Sequence, residues 1–168
     1  MSAITIRLEG PADGPAVRDV NRQAFGQDQE ANIVDALRTN DAVLLSLVAE
    51  AAGQVVGHIL FSPLVVAGVE GAALGPMAVL PEMQRQGIGT RLVQAGLEQL
   101  RRDGCPFVGV VGHPAFYPRV GFRPARSFGI SCEWDVPDDV FMVHVLDTTA
   151  TAGMTGMARY RAEFSTVE

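Results

Sequence analysis

Apolar and polar residues alternate along Ile4-Thr5-Ile6-Arg7-Leu8, which predicts a strand. The period then changes. Val17, Val20 and Ala24 fall on one face of a helix predicted from Asp13, a plausible N-cap, to Phe25, with Pro15 in its first turn. Ile33, Val34 and Leu37 predict a second, short helix. Leu44 to Ala49 and Gln54 to Val65 are β-rich runs on either side of Ala51-Ala52-Gly53, and together they predict a hairpin. Another hairpin is expected to lead through Gly71 into Ala72 to Val79. Pro76 cannot donate to a ladder, so that strand should be bulged or unpaired around Gly75-Pro76.

A long helix follows from Gly87 to about Arg102, with Gly89, Leu92, Val93, Gly96, Leu97 and Leu100 on its apolar stripe. Asp103-Gly104 ends it, and Gly104 suits a left-handed cap. Phe107 to Val111 is a continuous apolar run, as in a strand covered on both faces. Strands are expected near Phe128 to Cys132 and Phe141 to Leu146, and Arg159 to Phe164 should form a final edge piece or tail. A strand-helix-strand unit beside antiparallel hairpins means a mixed α/β sheet with helices packed on it.

The length of 168 residues suits one domain, residues 1–168, with no internal repeat or long linker. A hydrophobic fraction of 48% with 19% charged residues describes a packed chain without a bilayer-spanning run. Met1 to Glu9 lacks the apolar core of a signal peptide, and Cys105 and Cys132 show no metal-type spacing. A cytoplasmic protein with reduced thiols and no membrane partner is expected. A net charge of −6 argues against nucleic acid and suits cationic substrates such as amines. The thirteen basic residues are all arginine, so the lysine of a phosphate-binding Walker loop is missing.

The most informative stretch is Gln84-Arg85-Gln86-Gly87-Ile88-Gly89, where a glycine-rich turn opens the long helix. The first amides of a helix lack internal partners and carry the positive end of its dipole. A pyrophosphate can accept several at once if no side chain intervenes, and Gly87 and Gly89 remove the obstructing Cβ atoms. The candidate donors are the amides from Arg85 through Thr90 (Gln86, Gly87, Ile88 and Gly89 between them), with the Thr90 hydroxyl as an extra. Close packing of the helix on the sheet is the competing reason for the two glycines. A dinucleotide-binding turn is disfavoured, because Leu92 stands where its third glycine belongs.

These residues resemble a known family. Met77-Ala78-Val79, Pro81-Glu82 and Gln84-x-x-Gly87-x-Gly89 look like the acyl-CoA site of the GNAT superfamily of N-acetyltransferases. Gly112-His113-Pro114-Ala115-Phe116-Tyr117-Pro118-Arg119-Val120-Gly121-Phe122 further resembles a motif of one bacterial branch of predicted acetyltransferases. The resemblance implies a mostly antiparallel mixed sheet whose middle strands splay apart, flanked by helices. It implies acetyl-CoA as acyl donor, no metal, and direct transfer within a ternary complex to a primary amine on a small molecule or peptide. Met77 and Val79 would bond the pantetheine amides through their backbones, and the Met77 or Ala78 amide would hold the oxyanion. Tyr117 would return a proton to the leaving thiolate. Pro118 departs from the wider superfamily, because it disfavours helical geometry at Tyr117.

A base for the amine is not singled out by the sequence; Glu70, Glu133, His58 and His113 stand unranked. Arg85, Arg91 and Arg119 are candidates for CoA phosphates, against solvated surface arginines. Asn21, Phe25 and the segment from Gln27 to Glu30 fall where such folds build the acceptor pocket. The alternative function is a non-catalytic acyl-CoA-binding sensor or regulatory module of the same fold, and the protein would be a monomer or a homodimer. A hydrolase elbow at Ala125-Arg126-Ser127-Phe128-Gly129 fails, because strand rather than helix is expected after it.

Overall fold

A computed structural model describes residues 3–166. Four strands, β1 (Ile4–Leu8), β2 (Leu45–Ala51), β3 (Gln54–Val66) and β4 (Val69–Val79), pair antiparallel in that order. Ala52-Gly53 and Ala67-Gly68 make the two tight turns, each with φ near 50° then 79°, the left-handed pair that matches strand twist. The second turn therefore lies at Ala67-Gly68, before the expected position. Gly71 sits inside β4, where a Cβ would stand 2.5 Å from the Phe107 ring, so its small size serves packing.

Helices α1 (Gly14–Phe25) and α2 (Gln29–Thr39) cover one face of the sheet, burying Val17, Ile33, Val34 and Leu37 against Val48 and Leu60. Asp13 precedes α1 but makes no side-chain cap. Its carboxylate accepts from Arg7 at 2.7 Å and from the Gly10 amide at 2.6 Å, and Arg7 foremost holds it down to about 2. Helix α3 (Ile88–Arg102) covers the other face. Ile88 joins Leu92, Val93, Gly96, Leu97 and Leu100 in its buried stripe, where the sequence pattern had Gly89. Gly96 is the close-packing glycine, since a Cβ there would lie 2.5 Å from the Phe61 ring. Asp103 and Gly104 stop the helix as expected: Gly104, at φ 83°, donates to Arg101 O and Cys105 to Leu100 O, the paired bonds of a Schellman turn.

Beyond α3 come β5 (Phe107–Val111), β6 (Arg123–Pro124), β7 (Ile130–Cys132), β8 (Phe141–Val145) and β9 (Gly156–Tyr160). Phe128 ends a 3-10 turn ahead of β7. The C-terminal strand is an inner piece, pairing with both β3 and β7. The sheet is mixed and mostly antiparallel, in the order β1-β2-β3-β4-β5-β8-β6 with β9 and β7 joined through β3. The parting of β4 from β5 positions the site. β4 and β5 are parallel and pair only at Ala72↔Val108 and Ala73↔Gly109; past that point they separate. The β3–β4 register also shifts between Ile59 and Phe61, opposite Gly75-Pro76, as the proline predicts.

Candidate active site

One 3-10 turn, Pro81–Met83, carries the chain from β4 towards α3. Gln84 folds back and donates from Nε2 to the Val79 carbonyl at 3.0 Å, tying the turn to the end of the strand. Arg85 and Gly87 then take left-handed conformations, at φ 64° and 82°. Alternation of left- and right-handed residues turns successive amides inward, which makes a concave anion site. The hydrogen-bond ladder of α3 opens with Arg91 donating to Gly87 O at 3.1 Å, and the amides ahead of it have no helical carbonyl to accept them. Gly89 faces this space, not the core; a Cβ there would meet Met77 Cε at 3.5 Å and Phe116 Cζ at 3.9 Å.

The turn opens into a cleft of about 900 Å³. Met77 and Val79 line it from β4, Gln84, Arg85, Gly87, Ile88, Gly89 and Thr90 from the cradle, and Tyr117 from the far wall. Two of the expected residues fall outside the lining. Ala78 has its side chain buried on the opposite face of the strand, so only its backbone is near, and Gln86 is exposed. Arg119 borders the cleft and Arg91 does not. Met83, Ala115, Phe116 and Val120 complete the wall. Of these, Phe116 and Val120 were legible only as members of the Tyr117 motif, and Met83 carried no signal. Among the described residues, the lining contains two arginines and a histidine but no carboxylate, in a protein of net charge −6. That local inversion of sign favours an anionic ligand.

Tyr117 opens a 3-10 turn, Tyr117–Val120, in which Pro118 occupies a position whose amide has no helical partner. Its ring meets Phe116 and Phe122 edge to face, at centroid distances of 4.9 and 5.4 Å. Burial pushes its hydroxyl up to about 12. Gly121 closes the turn at φ 98°, with His144 where a side chain would stand.

The four proton acceptors separate clearly. His58 is fully buried, with both ring nitrogens engaged by Asn21 and Ser46. Glu70 lies exposed on β4 opposite Val65, at the end of the strand away from the cradle. Glu133 accepts the Tyr160 amide at 2.7 Å and faces Arg159. Only His113 borders the cleft. Asn21 is fully buried, Phe25 is 40% exposed, and Gln27 bonds Gln29 and Glu30 at the surface. Among the described residues, no group of three His, Cys, Asp or Glu side chains could hold a metal, and no helix is long and apolar enough to cross a membrane.

Residues 15–122 match the acetyltransferase (GNAT) family. The chain is 36% identical over 163 residues to the uncharacterized N-acetyltransferase YhbS of Escherichia coli K12, covering 95% of this chain and 98% of that one. The crystal structure of E. coli YhbS in complex with CoA superposes with a TM-score of 0.95 at 34% identity, over 100% of this chain and 95% of that one. A GNAT family acetyltransferase from Brucella melitensis in complex with acetyl-CoA gives a TM-score of 0.81 at 36% identity, over 98% and 99%.

Proposed function

The chain belongs to the acetyltransferase (GNAT) family and is an acetyl-CoA-dependent N-acetyltransferase, and within that class we propose that its single domain transfers acetyl to a primary amine by direct attack in a ternary complex. One observation carries the site assignment. The open helix start, the strand segment without a β5 partner and Tyr117 come from three separate parts of the chain and border one cleft.

Acetyl-CoA supplies the activated acyl carbon. The amides from Arg85 to Thr90 bind its pyrophosphate at the positive end of α3, and Arg85 and Arg119 at the rim add charge. The backbones of Met77 and Val79 bond the pantetheine arm where β4 has no β5 beside it. The Met77 or Ala78 amide donates to the oxygen that gains charge when the amine attacks. An alkyl amine is mostly protonated at pH 7, and reaching its free base costs about 4–5 kcal/mol. His113, placed at the cleft, takes that proton. Tyr117 donates to the departing sulfur.

Thiol release from acetyl-CoA, followed with polyamines, amino acids, aminoglycosides and peptide N-termini, tests this reading. Amine-dependent release with formation of the N-acetyl product is expected. Tight CoA binding with no turnover on any of these amines overturns the acceptor assignment.

A further inference from the structure

On the face of the sheet opposite α3, a largely buried polar chain joins four elements and the residue that follows β1. His58 of β3 lies at its centre, with Asn21 Nδ2 of α1 at 3.1 Å from Nδ1 and Ser46 Oγ of β2 at 2.9 Å from Nε2. Chemistry sets the direction of each bond. Asn21 Nδ2 also donates to the Val17 carbonyl at 2.9 Å, and a carbonyl can only accept, so this amide atom is the nitrogen. Nδ1 of His58 is therefore the acceptor and its proton sits on Nε2. Nε2 donates to Ser46, Ser46 donates to the Glu9 carboxylate, and Glu9 is ion-paired with Arg38 of α2. Burial, with Arg38 adding to it, pushes the His58 ring down to about 3. A neutral imidazole with both nitrogens committed is no base for the amine; it is a fastening.

The place of that fastening has a consequence for the cleft. His58 pairs with Ala78 in register, between Gly57↔Val79 and Ile59↔Met77. Met77 and Val79 of that stretch line the cleft, and Ala78 lies between them with its side chain buried. On their other side β5 has already separated, and on the near side the ladder is interrupted opposite Gly75-Pro76. Among the strands, the segment from Met77 to Val79 therefore pairs with β3 alone, Gln84 bonding the Val79 carbonyl at its end, and His58 is the middle residue of the piece that pairs with it. We propose that His58 is a positioning residue for the acyl-CoA-binding strand. Its bonds to Asn21 and Ser46 immobilise β3 against α1 and β2. Through β3 they set where the Met77–Val79 backbone stands relative to the cradle of α3. The proposal rests on the acyltransferase reading only for what that backbone binds.

His58→Phe keeps a ring and removes both hydrogen bonds, whereas His58→Gln restores one acceptor and one donor. Two quantities are read: acetyl-CoA affinity by calorimetry, and amide exchange of Met77–Val79 relative to the α3 amides from Leu92 to Leu100. For His58→Phe, affinity should fall about tenfold and the exchange ratio should rise about tenfold, with most of both returned by His58→Gln. A histidine that only fills the core lowers the melting temperature and moves neither quantity; that result overturns the proposal. If His58→Phe does not fold, Ser46→Ala and Asn21→Leu each remove one of the two bonds to His58. Each should shift both quantities in the same direction by less, and wild-type values for both overturn it equally. Absent acetyl-CoA binding by the unmodified protein counts against the reading of the cleft, while the exchange ratio still tests the fastening.

Discussion

The ring of Tyr117 fills the space in which a side chain on Gly112 would stand: a Cβ at Gly112 comes within 2.3 Å of Tyr117 Cε2. The glycine that opens the motif and the tyrosine at its centre are thus one packing unit. Gly112 leaves β5 with its amide bonded to Val140 O, and the ring lies against that backbone. Phe116 and Phe122 pack edge to face with the same ring.

Gly112→Ala should therefore displace the ring or strain the end of β5, lowering stability by about 1–3 kcal/mol. Transfer should slow with it, because the hydroxyl moves off the cleft. Urea unfolding and thiol release on the same preparation measure both, and wild-type behaviour in each would show that the ring has room.

Tyr117→Phe keeps the packing and removes the proton. Transfer should slow at least tenfold, towards the range of about 10²–10⁴ for a positioned acid, with CoA affinity unchanged. A hydroxyl raised to about 12 stays protonated throughout the working range, so it imposes no fall in rate below about pH 10. A thiolate leaving into the same desolvated cleft is raised as well, which narrows its gap to the phenol. His113→Ala should lower the rate, because it removes the group that takes the amine's proton. Unchanged turnover in either variant removes the role assigned to that residue.

Gly89→Val and Gly96→Ala should fail in opposite ways. A Cβ at Gly89 fits beside Met77 and Phe116, so the valine variant folds and its branches occupy the cleft. CoA affinity should drop at least tenfold, about 1.4 kcal/mol. At Gly96 the methyl meets Phe61 at 2.5 Å, and the variant should lose about 1–3 kcal/mol of stability while binding CoA normally once folded. Calorimetry with thermal unfolding separates the two; normal CoA affinity in Gly89→Val removes the cradle.

Stability should fall on the acid side before any carboxylate titrates. The unfolded chain binds a proton at His58 near pH 6.5 that the native state refuses until about pH 3. The contribution is complete above pH 6.5 and declines as pH falls, by up to about 1.4 kcal/mol per pH unit. His144, lowered by burial, acts in the same direction, and Asp13, held at about 2 by Arg7, adds its loss below 3.8. Urea midpoints from pH 8 to pH 4 should decline in the wild type and run flatter in His58→Gln. An identical slope in both would mean that His58 titrates normally in the native state.

Local rules made much of the protein legible in its sequence. The strand β1, the α3 stripe from Leu92 to Leu100, the cap at Gly104 and the interruption at Pro76 each depend on neighbours a few residues away, and each stands where the pattern placed it. The amides ahead of Arg91 are open for the same reason, since any helix start lacks partners for them. Tertiary structure decided what neighbours in sequence cannot. The β3–β4 turn uses an alanine at positive φ, which no turn preference selects, because the pairing register of two long strands demands it there. Ile88 rather than Gly89 enters the core because the sheet fixes the rotation of α3. His58 and Asn21, adjacent to nothing informative in the chain, meet across 37 positions only once α1 lies on β3. Tyr117 could be named from its motif. Its burial, the space Gly112 leaves for it and the cleft it faces come from strands that part at Ala73, a property of the assembled sheet.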